Sequence, residues 1–178
     1  MQSIPKIKKD GIGILATDTL YGVVGSAFSK KAVLRIYDVK GRTEGKPLII
    51  LIPLVNDLKR FGIKLSKAHE SYLNSIWPGP VSVILPCSQK KFQYLHRGTK
   101  SLAFRLPKSK KLRELLQKTG PLVAPSANPQ GEKPAHTIAE AKKYFGAKVD
   151  FYIPSGRKIG RPSRVVSLLS SKPVVVRK

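Results

Sequence analysis

Eight short apolar runs alternate with four amphipathic stretches along this chain, and that alternation restricts its fold more than any other feature. The runs are Gly11–Ala16, Leu48–Ile52, Val81–Leu85, Leu102–Leu106, Leu122–Ala124, Phe151–Ile153, Val165–Leu169 and Val174–Val176. They are short, rich in Val and Ile, and bounded by Gly or Pro, which reads as strands. Between them, Lys31–Val39 sets Val33, Ile36 and Tyr37 on one helical face. Lys67–Trp77 follows Ser66 and aligns Tyr72, Leu73, Ile76 and Trp77. Lys110–Lys118 follows Ser109 and aligns Leu112, Leu115 and Leu116. Ile138–Phe145 follows Thr137, and Glu140 completes a T-x-x-E capping box. Strands and helices mixed in this way predict an α/β domain. The 178 residues suit a single domain spanning 1–178, large enough to bury ~70% of its unfolded surface.

Charge is the outlying quantity. Lys and Arg number 34 against 10 Asp and Glu, a formal net charge of +24. The first 89 residues hold 13 basic and 6 acidic residues, the rest 21 and 4. Such a field attracts polyanions, so weak, salt-dependent RNA binding is expected whatever else the chain does. Lys108, Lys110, Lys111, Arg113 and Lys118, offset only by Glu114, are expected to contribute to it.

Several classes are excluded. A single cysteine, Cys87, rules out an internal disulfide framework and a multi-cysteine zinc site, and suits a reducing compartment. His69, His96 and His136 lie far apart without metal-ligand spacing, so no bound metal is expected. Carboxylates are too few and scattered for a paired acid–base site. The longest apolar stretch, Leu48 to Val55, is broken by Pro53 and falls far short of the ~20 residues of a membrane span. Gly11–Ala16 is too short for a signal sequence, so a cytoplasmic location is expected. Neither a P-loop nor a continued G-x-G-x-x-G motif is present.

Five segments carry polar chemistry. Thr17–Gly22 follows a strand and reads as one edge of a small-molecule pocket or as a polar turn. Lys40 and Arg42, with Lys46 close behind, form either a polyphosphate clamp or an incidental cluster in a basic chain. Ser126 and Asn128 alternate in Pro125–Pro129, aimed at a ligand or closing a turn. Trp77 to Pro80 is a rigid turn whose indole reads as core. Ser101, Ala103 and Arg105 share one face of a strand, where the Arg would hold a carboxylate or face solvent.

Taken together and in order, ATDTLYG, IYDVKGR with KPL, WPGPVSVIL, SLAFRLP, PLVAPSAN and RPSRVVSL resemble the successive motifs of the YrdC-like threonylcarbamoyl-AMP synthases. The resemblance implies a twisted open mixed sheet flanked by helices, with a deep, positively charged cleft. It implies synthesis of threonylcarbamoyl-AMP and pyrophosphate from threonine, bicarbonate and ATP. Partner proteins would use that adenylate to modify a tRNA adenosine.

By the same resemblance Lys40, Arg42 and Lys46 line the triphosphate path, with Lys40 and Arg42 closest to the chemistry. Ser101, Asn128, Thr137 and Arg177 join them around ATP. Thr19, Arg105, Ser126 and Ser163 hold threonine, and Mg²⁺ rides on the phosphates of ATP. Ala16 stands where proline is usual. Leu51 stands where many longer members carry a histidine near threonine. The sequence runs out soon after Arg177, so the short, single-domain form is expected. A related carbamoyl-transfer protein carries cysteine-rich zinc modules, which a single Cys87 does not match. The alternative reading is a non-catalytic RNA-binding or ribosome-maturation module using the same basic cleft.

Overall fold

A computed structural model of the chain describes residues 7, 10–42, 47–170 and 172–178. Their nine strands are β1 (Ile12–Ala16), β2 (Tyr21–Ser26), β3 (Ile49–Leu51), β4 (Val81–Pro86), β5 (Ser101–Arg105), β6 (Leu122–Val123), β7 (Phe151–Ile153), β8 (Arg164–Ser167) and β9 (Val174–Arg177). They form one mixed sheet in the order β7-β1-β2-β6-β3-β5-β4-β8-β9. The β1–β7, β3–β5 and β4–β8 pairs are parallel and the rest antiparallel. Each of the eight apolar runs supplies a strand.

The ninth strand, β2, was not expected. Its YGVVGS sequence carries two glycines, which weaken a strand on propensity alone. Packing explains one of them: a Cβ at Gly25 would stand 3.1–3.2 Å from side-chain atoms of Ile12, Ala32 and Ile36. The missing side chain lets the first helix lie against the sheet. The Thr17 hydroxyl closes the connection from β1 to β2, accepting from the amides of Thr19 and Leu20 and donating to the Leu20 carbonyl at 2.7 Å.

Helices α1 (Lys30–Lys40), α2 (Lys67–Ile76), α3 (Gln93–His96), α4 (Lys110–Thr119) and α5 (Ile138–Phe145) complete the fold with three short 3-10 segments. Ser29, Ser66, Ser109 and Thr137 cap α1, α2, α4 and α5, each accepting a backbone amide of the first turn. The Glu140 carboxylate reaches back to the His136 amide at 2.8 Å, so the capping segment is tied from both sides.

The two faces of the sheet differ. One carries Ile14, Val23, Ile50, Val83, Phe104 and their neighbours against α1, α2 and α5, the main core. Phe61 closes it at one end, 4.9 Å from Phe28, 5.3 Å from Phe92 and 5.0 Å from Phe104 between ring centres. Trp77 belongs to this core, its indole donating to the Val81 carbonyl at 2.6 Å. On the other face a smaller core gathers Leu15, Val24, Leu51 and Leu122 beneath Leu112, Leu115 and Leu116 of α4. Beside α4 that face opens into a cavity.

Candidate active site

Strand alternation makes the cavity. In β5, Leu102 and Phe104 point into the main core, whereas Ser101, Ala103 and Arg105 line a cavity of ≈ 410 Å³. The register sets Ala103 beside Ile49 of β3 and Ile84 of β4, which share this floor. Thr19, Arg42, Ser126, Ser163 and Arg177 belong to the polar part of the wall, with Thr17, Tyr21 and Thr99. Residues from seven segments, separated in sequence, thus meet in one concavity. Three guanidiniums line it and, among the described residues, no carboxylate does.

The K-G-R segment owes its geometry to the glycine. Gly41 adopts the left-handed conformation (φ 54°) that ends α1, its amide returning to Asp38 and that of Arg42 to Tyr37. The two cations therefore leave in different directions. Arg42 enters the cavity, with one guanidinium N–H donated to the Pro47 carbonyl at 3.3 Å. Lys40 turns inward, 2% exposed, and donates to the carbonyls of Ser126 (2.5 Å) and Asn128. It does not line the cavity; it holds the loop that does. Burial, reinforced by Arg42, lowers the Lys40 pKa to about 7.

Arg105 is the best-organised group. It is 4% exposed, pairs with Asp18 at 3.1 Å, and donates to the Thr19 hydroxyl at 3.0 Å. Its Nε is buried without a partner. Asp18 also accepts from the Lys108 amide at 2.9 Å, which fixes the carboxylate from the opposite side. Burial lowers the pKa of Arg105, with Asp18 opposing, and burial alone lowers that of Arg177. Arg177 donates to the Ser163 carbonyl through Nε and Nη2, while the Ser163 hydroxyl meets that of Ser82 at 2.8 Å.

The segment before Ser163 straps across this wall. The Tyr21 hydroxyl donates to the Gly156 carbonyl and accepts from the Ser155 amide. Farther along, Gly160 lies against Thr19: a Cβ there would sit 2.2 Å from the Thr19 carbonyl oxygen.

The remaining candidates stand apart. Asn128 does not line the cavity; its amide nitrogen donates to Pro129 and Glu132, and its Oδ1 is buried without a partner. Thr137 caps α5. Lys46 lies outside the described residues. Leu51 is wholly buried beneath α4, in the small core and not on the cavity wall. Among the described residues no three His, Cys, Asp or Glu gather as a metal cluster. None of their helices is long and apolar enough to cross a membrane.

Thr17–Gly22 reads from sequence as a pocket edge, but the pairing of Asp18 with Arg105 and the hold of Tyr21 on the strap are not visible there. The scarcity of acids was the available signal, because a carboxylate amid so many cations invites a search for its partner. Chemically the cavity offers planar cations and hydroxyls to an anionic ligand, with one buried guanidinium edge unused.

Comparison with known proteins bears on this arrangement. The Sua5, YciO and YrdC family model, described as telomere recombination, matches residues 5–178. A threonylcarbamoyl-AMP synthase of Pyrococcus abyssi is 33% identical over 177 residues, covering 96% of this chain and 51% of that protein. One from Halorhodospira halophila is 29% identical over 150 residues, covering 84% and 78%. The crystal structure of P. abyssi Sua5 complexed with L-threonine superposes with a TM-score of 0.88 at 29% identity, covering 96% of this chain and 51% of that one. The chain thus spans about half the length of its Pyrococcus relative.

Proposed function

The chain belongs to the Sua5, YciO and YrdC family, and on that footing we propose that it makes threonylcarbamoyl-AMP and pyrophosphate from threonine, bicarbonate and ATP. One observation carries the reading: a buried, oriented guanidinium, Arg105, lies beside hydroxyls in a partly apolar cavity whose wall also holds Arg42 and Arg177. The P. abyssi protein's complex with L-threonine supports a threonine site in the same fold.

Threonine's carboxylate docks on the unused Nε edge of Arg105, and its hydroxyl meets Thr19, Ser126 or Ser163. The amine adds to the carbon of bicarbonate with loss of water, giving a carbamate. A carbamate oxygen then attacks the α-phosphorus of ATP. The bond from that phosphorus to the bridging oxygen breaks, and pyrophosphate leaves with the electron pair. Positioning and charge neutralisation drive such a step, so the lack of a paired acid and base is no obstacle. Arg42 and Arg177 neutralise the phosphates, with Ser101 beside them and Lys46 joining through its motif. Lys40 acts through the Ser126–Asn128 loop. Thr137 is left to its helix. Mg²⁺ arrives on the triphosphate, because among the described residues the wall offers arginines and no acidic cluster.

The product is an activated mixed anhydride, short-lived in water. Partner proteins that pass its threonylcarbamoyl group to a tRNA adenosine, and a cytoplasmic setting, complete the proposal. Incubation with ATP, Mg²⁺, bicarbonate and threonine should release pyrophosphate only when both threonine and bicarbonate are present. Valine should be a far poorer substrate, since a site that hydrogen-bonds a hydroxyl rejects analogues lacking it. Equal rates with the two amino acids, or release without bicarbonate, would overturn the reading.

A further inference from the structure

A second cavity, of ≈ 590 Å³, lies between α1 and the segment that carries α3. Lys30 and Leu34 of α1 form one wall; Lys90, Lys91, Tyr94 and Arg97 form the other. Among the described residues, four cations and no carboxylate face it. Arg97 is held in place by its stack on the Tyr37 ring, 4.5 Å from the centroid, and Tyr94 by a 2.9 Å hydrogen bond to the Ala27 carbonyl. Lys30, Lys90 and Lys91 form no salt bridge with the described residues, and the first turn of α1 has no acidic side chain. Like charges gathered around one concavity repel each other, and an anion in their midst relieves that repulsion.

We propose that this cavity is a docking site for the backbone phosphates of single-stranded RNA. The wall chemistry selects that occupant. Leu34 and Tyr94 are its main apolar elements, too little for the mostly apolar lining that a small organic ligand or a lone nucleotide needs. Several cations spread around an open concavity match a chain of phosphates instead. Its position matters too. The turn that closes α3 puts Arg97 and Gly98 in this cavity, and the next residue, Thr99, with Ser101 lines the first. Arg97 (φ 49°) and Lys100 (φ 52°) both hold left-handed conformations there, which side-chain-bearing residues adopt at a cost. RNA docked at Arg97 therefore lies next to the wall of the proposed catalytic cavity without entering it. The α4 cations, which the sequence marks for RNA, line neither cavity. The inference stands on this second cavity alone and does not require the proposed reaction.

The test is fluorescence anisotropy of the whole chain with a labelled single-stranded RNA, from about 50 to 200 mM salt. Lys30→Gln/Lys90→Gln/Lys91→Gln is compared with a charge-matched control on α4, Lys110→Gln/Lys111→Gln/Lys118→Gln. The first should shallow the slope of log affinity against log salt by ~2, the control by less than about 0.5. If thermal melting shows the triple unfolded, Lys90→Gln/Lys91→Gln gives the same reading with a change of ~1.4. Equal effects of the two triples would assign binding to the general field and overturn the proposal. Displacement of RNA by ATP would do so by placing it in the first cavity. Loss of binding to phosphatidylserine vesicles with RNA affinity intact would transfer the site to membranes and equally refute it.

Discussion

Arg42 and Lys40, two positions apart, have separate duties because Gly41 turns the chain between them. Arg42 reaches the cavity, so Arg42→Ala should lower adenylate synthesis by ~10²–10³, as removal of a single oriented donor does elsewhere. Lys148→Ala, a residue that does not line the cavity, is the comparison; equal rates for the two variants would show the phosphate path misplaced. Lys40 titrates instead. With its pKa lowered to about 7 from an ordinary 10.5, the folded chain holds fewer protons than the unfolded chain between those limits. Stability therefore rises with pH through that window, by up to ~1.4 kcal/mol per unit. Below it both states are protonated and the contribution is flat. Thermal unfolding of Lys40→Met against the parent should show the rise removed; an unchanged slope would mean that the ammonium stays charged on its two carbonyls. The sequence could name both cations yet not separate their duties, because adjacency in K-G-R says nothing of a left-handed residue between them.

Helix α4 sets where the cavity begins. Its leucines roof Leu15, Val24, Leu51 and Leu122, and only past that roof is the sheet face open. Leu116 is wholly buried there, so Leu116→Ala should cost ~2–5 kcal/mol and lower the melting temperature by roughly 5–20 °C. A loss below ~1 kcal/mol would mean that α4 settles into the gap. This helix was legible because Ser109 announces its start and three leucines recur at helical spacing. The 3-10 segment Val55–Phe61 was not: Leu54 offers no capping side chain, and the packing of Phe61 among three other phenyl rings, distant in sequence, holds it. For the same reason β2 escaped notice, since Gly25 serves α1 rather than its own strand. The site was legible as a set of residue types in a familiar order. The Arg105–Asp18 pair was not, because β1 through β5 must fold before those groups meet.

Across the whole molecule, 34 cations against 10 acids make self-repulsion a steady opponent of the compact state. Raising salt from about 10 to about 150 mM shortens the screening length from ~30 to ~8 Å, and the melting temperature should rise over that range. A fall would mean that the three ion pairs described, Arg35–Asp150, Arg60–Asp57 and Arg105–Asp18, outweigh the surplus. The sheet itself has a consequence on a longer timescale. Along β5, each residue that builds the core is followed by one that faces the cavity, and β3 and β4 continue both rows. A mutation at Ala103, Ile84 or Ile49 thus changes what the cavity selects without excavating the phenylalanine layer beneath. Heredity can explore new ligands here one letter at a time, and lineages that do so keep a foldable protein while they search.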